Sequence, residues 1–211
     1  MADDNRTDAL VTGPFHPRSL ALLQVALDAW QARGFRYVDL PWMVPKAFSD
    51  ATRPSFCRDI PTLHGSFVAS GEQSFLQLWQ EGRLPKRVAG YVGWTPCLRD
   101  EAVLDETHQH GFMKAEWFVP LCKKLTAEEN FRQLQGLVSM QTDVFYEVSR
   151  VLGWRRKAYI HEEPTREGLD LVLGGIEIGS YGIRTFDGKP YMYGTALALP
   201  RFTQALQHPS C

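Results

Sequence analysis

"TPCLRDEAVLDETHQHGFMKAEWFV", residues 95–119, sets charged side chains inside two runs that otherwise read as strands. Arg99 and Glu101 are two apart, as are Phe112, Lys114 and Glu116, and a strand turns such residues to one face. Trp94, Leu98, Met113, Ala115 and Trp117 supply apolar positions around them. The spacing predicts a hairpin with one face for the core and the other carrying a guanidinium, carboxylates and an aromatic ring. That polar face suits a nucleoside triphosphate. Arg99 can grip a phosphate bidentately through its planar fork. Glu101 can accept from an exocyclic amine and so distinguish adenine. Phe112 offers a flat surface to a base, where stacking is worth about 1–3 kcal/mol. His108, in the connecting loop, is placed to reach an outer phosphate. The same spacing also admits a cross-strand Arg–Glu pair with Phe112 in the core.

Outward from this hairpin the chain has 211 residues, 44% hydrophobic and 22% charged, the make-up of an ordinary globular protein with a real core. A net charge of −1 and a pI near 6.6 give no bulk footprint for coating nucleic acid, though a local basic patch stays open. "MADDNRTDAL" is polar and acidic, unlike a signal peptide, and no apolar run approaches membrane-spanning length. The four cysteines, Cys57, Cys97, Cys122 and Cys211, form no CxxC pair, which argues against a disulfide framework or a zinc knuckle. A cytoplasmic protein is expected.

Residues 1–18 read as a loose arm and 19–211 as a single domain. Leu20, Leu23, Leu27 and Trp30 give a helical stripe that Gly34 stops. "FRYVDL" follows as a strand ending on Pro41, and residues 46–66 read as a loop. "EQSFLQLWQEG" is a short amphipathic helix and "KRVAGYVGW" a strand. Residues 126–153 make a long helix opened by a Thr126-x-x-Glu129 capping box. Strands are expected near 156–161, 169–178, 181–186 and 189–193, with "FDGKP" as a hairpin turn and a last helix starting at Gly194. The class is α+β: an antiparallel sheet flanked by helices.

Two further segments carry chemistry. In "GLDLVLGGIEIGSYGIRTF", Asp170 and Glu177 would fall on opposite faces of an unbroken strand, and a bulge at Gly174–Gly175 would restore a shared face. Two carboxylates converging on bound phosphates suit Mg²⁺, a hard cation preferring oxygen; a solvent-facing carboxylate on a turn-rich strand is the alternative. Arg184 lies seven beyond Glu177. In "YGTALALPRF", a glycine and small residues lead to Arg201, a plausible anion cradle at a helix start.

Taken in order, these pieces resemble the three signatures of the class II aminoacyl-tRNA synthetases. "RGFRYVDLPWMVP" looks like the first, a helix and then a strand ending in proline. "LRDE" followed by "HQHGFMKAE" looks like the second, with His108, Phe112 and Glu116 in its later places. "GTALALPR" looks like the third. The resemblance runs from about residue 19 to the end and implies an ATP-dependent, amino-acid-adenylating ligase. It implies that Arg99 holds the α-phosphate, Glu101 the adenine amine and His108 the outer phosphates. Phe112 and Arg201 would sandwich the adenine, Arg201 also nearing the γ-phosphate, while Asp170 and Glu177 hold Mg²⁺. ATP would bind bent, and catalysis would rest chiefly on Arg99 and Arg201.

For the amino acid, "ASGEQSF" resembles the Thr-x-Glu loop of the seryl, threonyl and prolyl members, with Ser70 in place of threonine. Glu72 and Glu116 would take the ammonium group, and Ser70, Gly71 and Ser180 would line the pocket. "HGFMKAE" is closest to the seryl type, whereas "DLVLGGIEIGSYGIR" is closer to the aspartyl group and to ammonia-dependent asparagine synthetase. There the arginine matching Arg184 receives a substrate carboxylate. The two clues disagree and leave the side chain open. Seryl-like amino acid:carrier protein ligases hold zinc partly through a cysteine in the amino-acid loop; Glu72 stands there, which counts against zinc. His108 and His110 read as a phosphate contact and a surface residue rather than a metal pair. No anticodon-binding domain fits in this length, so a non-tRNA acceptor is expected: a carrier-protein thiol, a small amine or a protein lysine. A short tRNA-charging enzyme and a non-catalytic amino-acid-sensing paralogue are the alternatives. A homodimer through the first-signature helix and strand is also expected, with no membrane partner.

Overall fold

The apolar stripe that begins the domain forms helix α1 (Pro17–Ala32), with Pro17 at its first turn and the His16 ring accepting from the Arg18 amide. Leu23, Leu27 and Trp30 are buried. A computed structural model describes residues 16–53, 57–100, 109–121, 125–154 and 159–207. Glu101, His108, Cys122, Cys211 and the arm up to residue 15 lie outside the described residues.

After α1 the order is β1 (Arg36–Tyr37), β2 (Met43–Val44), α2 (Lys46–Thr52), β3 (Pro61–Thr62), β4 (Gly65–Phe67), α3 (Gly71–Gln80), β5 (Tyr91–Leu98) and β6 (Gly111–Pro120). Then come α4 (Ala127–Val151), β7 (Ile160–Pro164), β8 (Gly168–Leu173), β9 (Ile176–Phe186), β10 (Lys189–Leu199) and α5 (Arg201–Gln207). Seven strands form one sheet in the order β1-β5-β6-β10-β9-β8-β7. All its pairings are antiparallel except β1 with β5. Strands β2, β4 and β3 form a small second sheet. This is an α+β fold, a largely antiparallel sheet flanked by helices.

The two faces of the large sheet are dressed differently. On one, Trp117, Met113, Tyr181, Met192 and Leu197 bury themselves against α1, α4 and α5. Trp30 lies against Trp117 at 5.6 Å and Phe145 stacks on Phe202 at 4.9 Å. Helix α4 opens with the expected capping box, Thr126 and Glu129 each satisfying the other's amide. Its buried Gln141 accepts from the Trp30 indole at 2.9 Å and donates to the Ala196 carbonyl at 2.8 Å, tying two helices to β10. On the other face Phe75 of α3 stacks on Phe118 at 5.3 Å, and Phe118 stacks on Tyr191 at 5.0 Å. Only part of that face lies under α3; the rest floors a cavity.

Four expectations need correction. Residues 46–66 are not a loop: α2, β3 and β4 lie there, with strands too short to show a period. The strand expected from 86 starts at Tyr91. Gly174–Gly175 form the turn between β8 and β9, both at positive φ, so the run from 169 to 178 is broken and 176–186 is continuous. The chain beyond Gly194 is strand to Leu199, not helix, with an irregularity between Thr195 and Leu197. Among the described residues no helix is long and apolar enough to cross a membrane.

Candidate active site

A cavity of about 280 Å³ sits on the open half of the sheet. Ser70, Glu72, Arg99, Phe112, Glu116, Glu177, Ser180, Arg184 and Arg201 all line it, so three distant segments meet at one place. Register explains why. In antiparallel pairs, residues directly opposite share a face. Glu116 pairs with Gly93 and Thr195, and Phe112 with Cys97, which sets Phe112, Lys114 and Glu116 on the cavity side. Arg99 follows β5 directly; its Nε donates to the Ala69 carbonyl at 3.1 Å and its guanidinium lies 4.9 Å from the Phe112 ring centroid.

Asp170 pairs with Ser180 and Val172 with Glu177, with one extra residue, Ile178, between. The bulge puts Glu177 and Ser180, three apart, on the face that carries Asp170. The shared face expected for the two carboxylates exists, produced by a turn and by a bulge at Ile178 rather than at the glycines. Asp170 stands one strand outward from the cavity lining. Burial, with the charges of Glu177 and Glu163, pushes its carboxyl above the ordinary range against a Ser180 hydrogen bond. Its buried Oδ1 has no hydrogen-bond partner. An orphaned buried carboxylate oxygen beside a second carboxylate is the donor chemistry a hard cation takes, so the pair fits Mg²⁺. Among the described residues no cluster of three or more potential metal ligands occurs. Arg201 begins α5 and pairs with Glu177 at 3.3 Å. His110 extends the hairpin, its Nδ1 3.0 Å from the Arg99 carbonyl.

The opposite end is buried and closely bonded. Glu116 accepts from the Ser70 hydroxyl at 2.6 Å, from the Gly71 amide, and from Lys114 Nζ at 2.8 Å. A Cβ at residue 71 would stand 2.9 Å from Glu116 Oε2 and 3.2 Å from a Leu40 methyl, so a larger residue there would have to displace the Glu116 carboxylate. Glu72 accepts from Arg184 Nη1 at 2.7 Å and the Tyr191 hydroxyl at 2.8 Å. Burial raises its carboxyl above the ordinary range, Glu116 adding to this while Arg184 and Tyr191 oppose it. Arg184 also donates to Glu167 Oε2, from Nε at 2.9 Å and Nη2 at 2.6 Å, and its guanidinium lies 4.2 Å from the Tyr193 centroid. Cys97 is buried beneath this face and its thiol is pushed up to about 11.

Lys114, Glu167, Tyr191, Tyr193 and Thr195 belong to this end but had no role in the sequence reading. Lys114 was placed on the polar face by its period-two spacing but given no role, and the alternating tyrosines of "YMYG" were within reach of the same argument. Glu167 was not: only the pairing of β8 with β9 brings it to Arg184.

A β-sheet with this strand order, three helices behind it and a charged cavity in front is the catalytic-core fold of the class II aminoacyl-tRNA synthetases. Among solved structures the chain is similar to a pyrrolysyl-tRNA synthetase from Desulfitobacterium hafniense, with a TM-score of 0.62 and 18% identity over 95% of this chain and 73% of that one. It is similar to the seryl-tRNA synthetase of Pyrococcus horikoshii complexed with ATP, with a TM-score of 0.63 and 18% identity over 90% of this chain and 49% of that one. The cytoplasmic serine-tRNA ligase of Naegleria fowleri in complex with AMP matches with a TM-score of 0.60 and 17% identity, over 88% of this chain and 47% of that one. No protein-family model and no curated protein sequence matches the chain.

Proposed function

We propose that this chain activates an amino acid with ATP, forming an aminoacyl-adenylate and releasing pyrophosphate. The acyl group then passes to an acceptor other than tRNA, such as a carrier-protein thiol or a small amine. The observation that carries this reading is the convergence of Arg99, Phe112, Glu177 and Arg201 at one end of a cavity whose other end holds Glu72 and Glu116. Arg99 takes the α-phosphate, while Phe112 and Arg201 flank the adenine. Glu101 and His108 keep their sequence-derived roles at the adenine amine and outer phosphates. Glu72 and Glu116 receive the ammonium group, with Ser70, Ser180 and Arg184 around it.

A substrate carboxylate oxygen attacks the α-phosphorus in line. The bond from that phosphorus to the β-bridging oxygen breaks, and pyrophosphate leaves with the electron pair. No protein nucleophile is needed, so the residues act by positioning and by neutralising charge. Asp170 and Glu177 would hold Mg²⁺, which supplies neutralisation of phosphate charge when bound. An acceptor thiol or amine then attacks the acyl carbon and displaces AMP. A formal net charge of −1 supports an acceptor other than a polyphosphate chain. A homodimer through α1 and the edge strand β1 is part of the same reading.

Amino-acid-dependent exchange of pyrophosphate into ATP, run across an amino-acid panel, tests it. Exchange with one or a few amino acids is expected; none with any amino acid would overturn the activation reading. Salt-sensitive tRNA binding would overturn the choice of acceptor.

A further inference from the structure

Arg184 lines the cavity beside Glu72, where a guanidinium could receive a carboxylate, yet its fork is already taken. A guanidinium has five N–H donors arranged along planar edges, and one edge suits one carboxylate. The edge formed by Nε and Nη2 grips Glu167 Oε2 at 2.9 and 2.6 Å. Nη1 grips Glu72 at 2.7 Å, and one face of the group lies on Tyr193 at 4.2 Å from the ring centroid. The Tyr193 hydroxyl adds a third donor to the same Glu167 oxygen at 3.0 Å.

We propose that Glu167 is a specificity-determining residue: its carboxylate occupies the Arg184 fork in place of a substrate's, so the amino acid activated carries a small, uncharged side chain. This rests on the amino-acid-activation reading and deepens it.

Two observations beyond the contacts support it. The first is charge. Arg184 already faces two carboxylates, Glu72 and Glu167, and Lys114 is paired with Glu116, so Arg184 has no net positive charge left for a further carboxylate. The second is that Glu167 is not a core residue. It precedes β8 and its side chain is half exposed, so burial of the fold does not account for its hold on a cavity-lining arginine. Burial works against its charge, but the hydrogen bond and charge of Arg184 prevail and keep its carboxyl below the ordinary range.

The test compares Glu167→Gln and Glu167→Ala with the wild type by pyrophosphate exchange, using alanine, serine, asparagine and aspartate. Thermal shift with aspartate alone gives a readout independent of chemistry. The expected result is a ratio of aspartate-dependent to best-neutral exchange at least about tenfold higher in either variant, with an aspartate-induced shift that the wild type lacks. An unchanged ratio without a new shift overturns the proposal, as does a wild type that already prefers aspartate. If no protein catalyses exchange but aspartate stabilises only the variants, the specificity role of Glu167 stands and the activation reading falls. Should Glu167→Ala fold poorly, Glu167→Gln keeps an acceptor for Tyr193 and decides alone.

Discussion

Glu177 and Glu72 are carboxylates paired with arginines around one cavity, yet the first keeps 44% of its side chain exposed and the second 4%. The Glu177–Arg201 contact is 3.3 Å long and half wet. Such pairs contribute about 0–1 kcal/mol, so both partners can leave one another for a ligand at little cost. Glu72 is held on both oxygens in a buried network. Breaking a pair of that kind costs about 3–5 kcal/mol, because it strands a charge. The end proposed for the nucleotide is therefore built to change partners, and the end proposed for the amino acid is built in advance.

The largest expected effect falls at the first end. Arg99→Ala should lower pyrophosphate exchange about 10³-fold while the melting temperature moves by no more than a few degrees. Equal losses of activity and stability would erase the contrast between the ends. Arg184→Ala should instead destabilise by about 3–5 kcal/mol, with a melting temperature down by about 2–4 °C per kcal/mol. Adding Glu72→Gln should recover part of it. A loss below about 1 kcal/mol would place this pair with the weak surface kind.

Asp170→Asn sharpens the comparison through pH. Asp170 has a folded-state carboxyl above its ordinary range, with burial as the main cause. The ionised form therefore costs stability, and the cost grows as pH rises from the unfolded value through the folded one. The variant should melt a few degrees higher than the wild type at pH 7, the gap closing below about pH 3.9. Its exchange should fall at least about tenfold at fixed Mg²⁺, since even partners behind a metal ligand cost 10–100-fold. The smallest effect belongs far from the cavity: Thr126→Ala should cost about 1 kcal/mol through the lost cap and leave exchange unchanged.

How much of this could be read in the sequence followed from how local each feature is. The capping box of α4 and the polar face of the β5–β6 hairpin depend on residues two to four apart. The box stands as expected, and so does the face at Arg99, Phe112, Lys114 and Glu116, with Glu101 and His108 outside the described residues. The end of β10 was misread because "GTALALP" is rich in helix formers. Tyr191–Gly194 pair with both β6 and β9, the segment from Thr195 to Leu199 continues the ladder with β6, and every residue from 191 to 199 is buried, which outweighs propensity. Gly174–Gly175 offered the right clue, since a Gly-Gly pair between two β runs is a hairpin signal. Reading it as a bulge kept Asp170 and Glu177 on one strand. The actual bulge at Ile178 has no marker in its own residue type. Glu167 was invisible because its partner Arg184 is 17 residues away and met only through strand pairing.

Among the described residues the sheet wears three helices on one side and chiefly α3 on the other. A molecule bound on the open half would cover the sheet as those helices do, so filling the cleft would also complete its burial. Occupancy at a hundred times the dissociation constant would add about 2.7 kcal/mol to resistance against unfolding. In a cell, the half-life of this chain would then track the supply of what it binds.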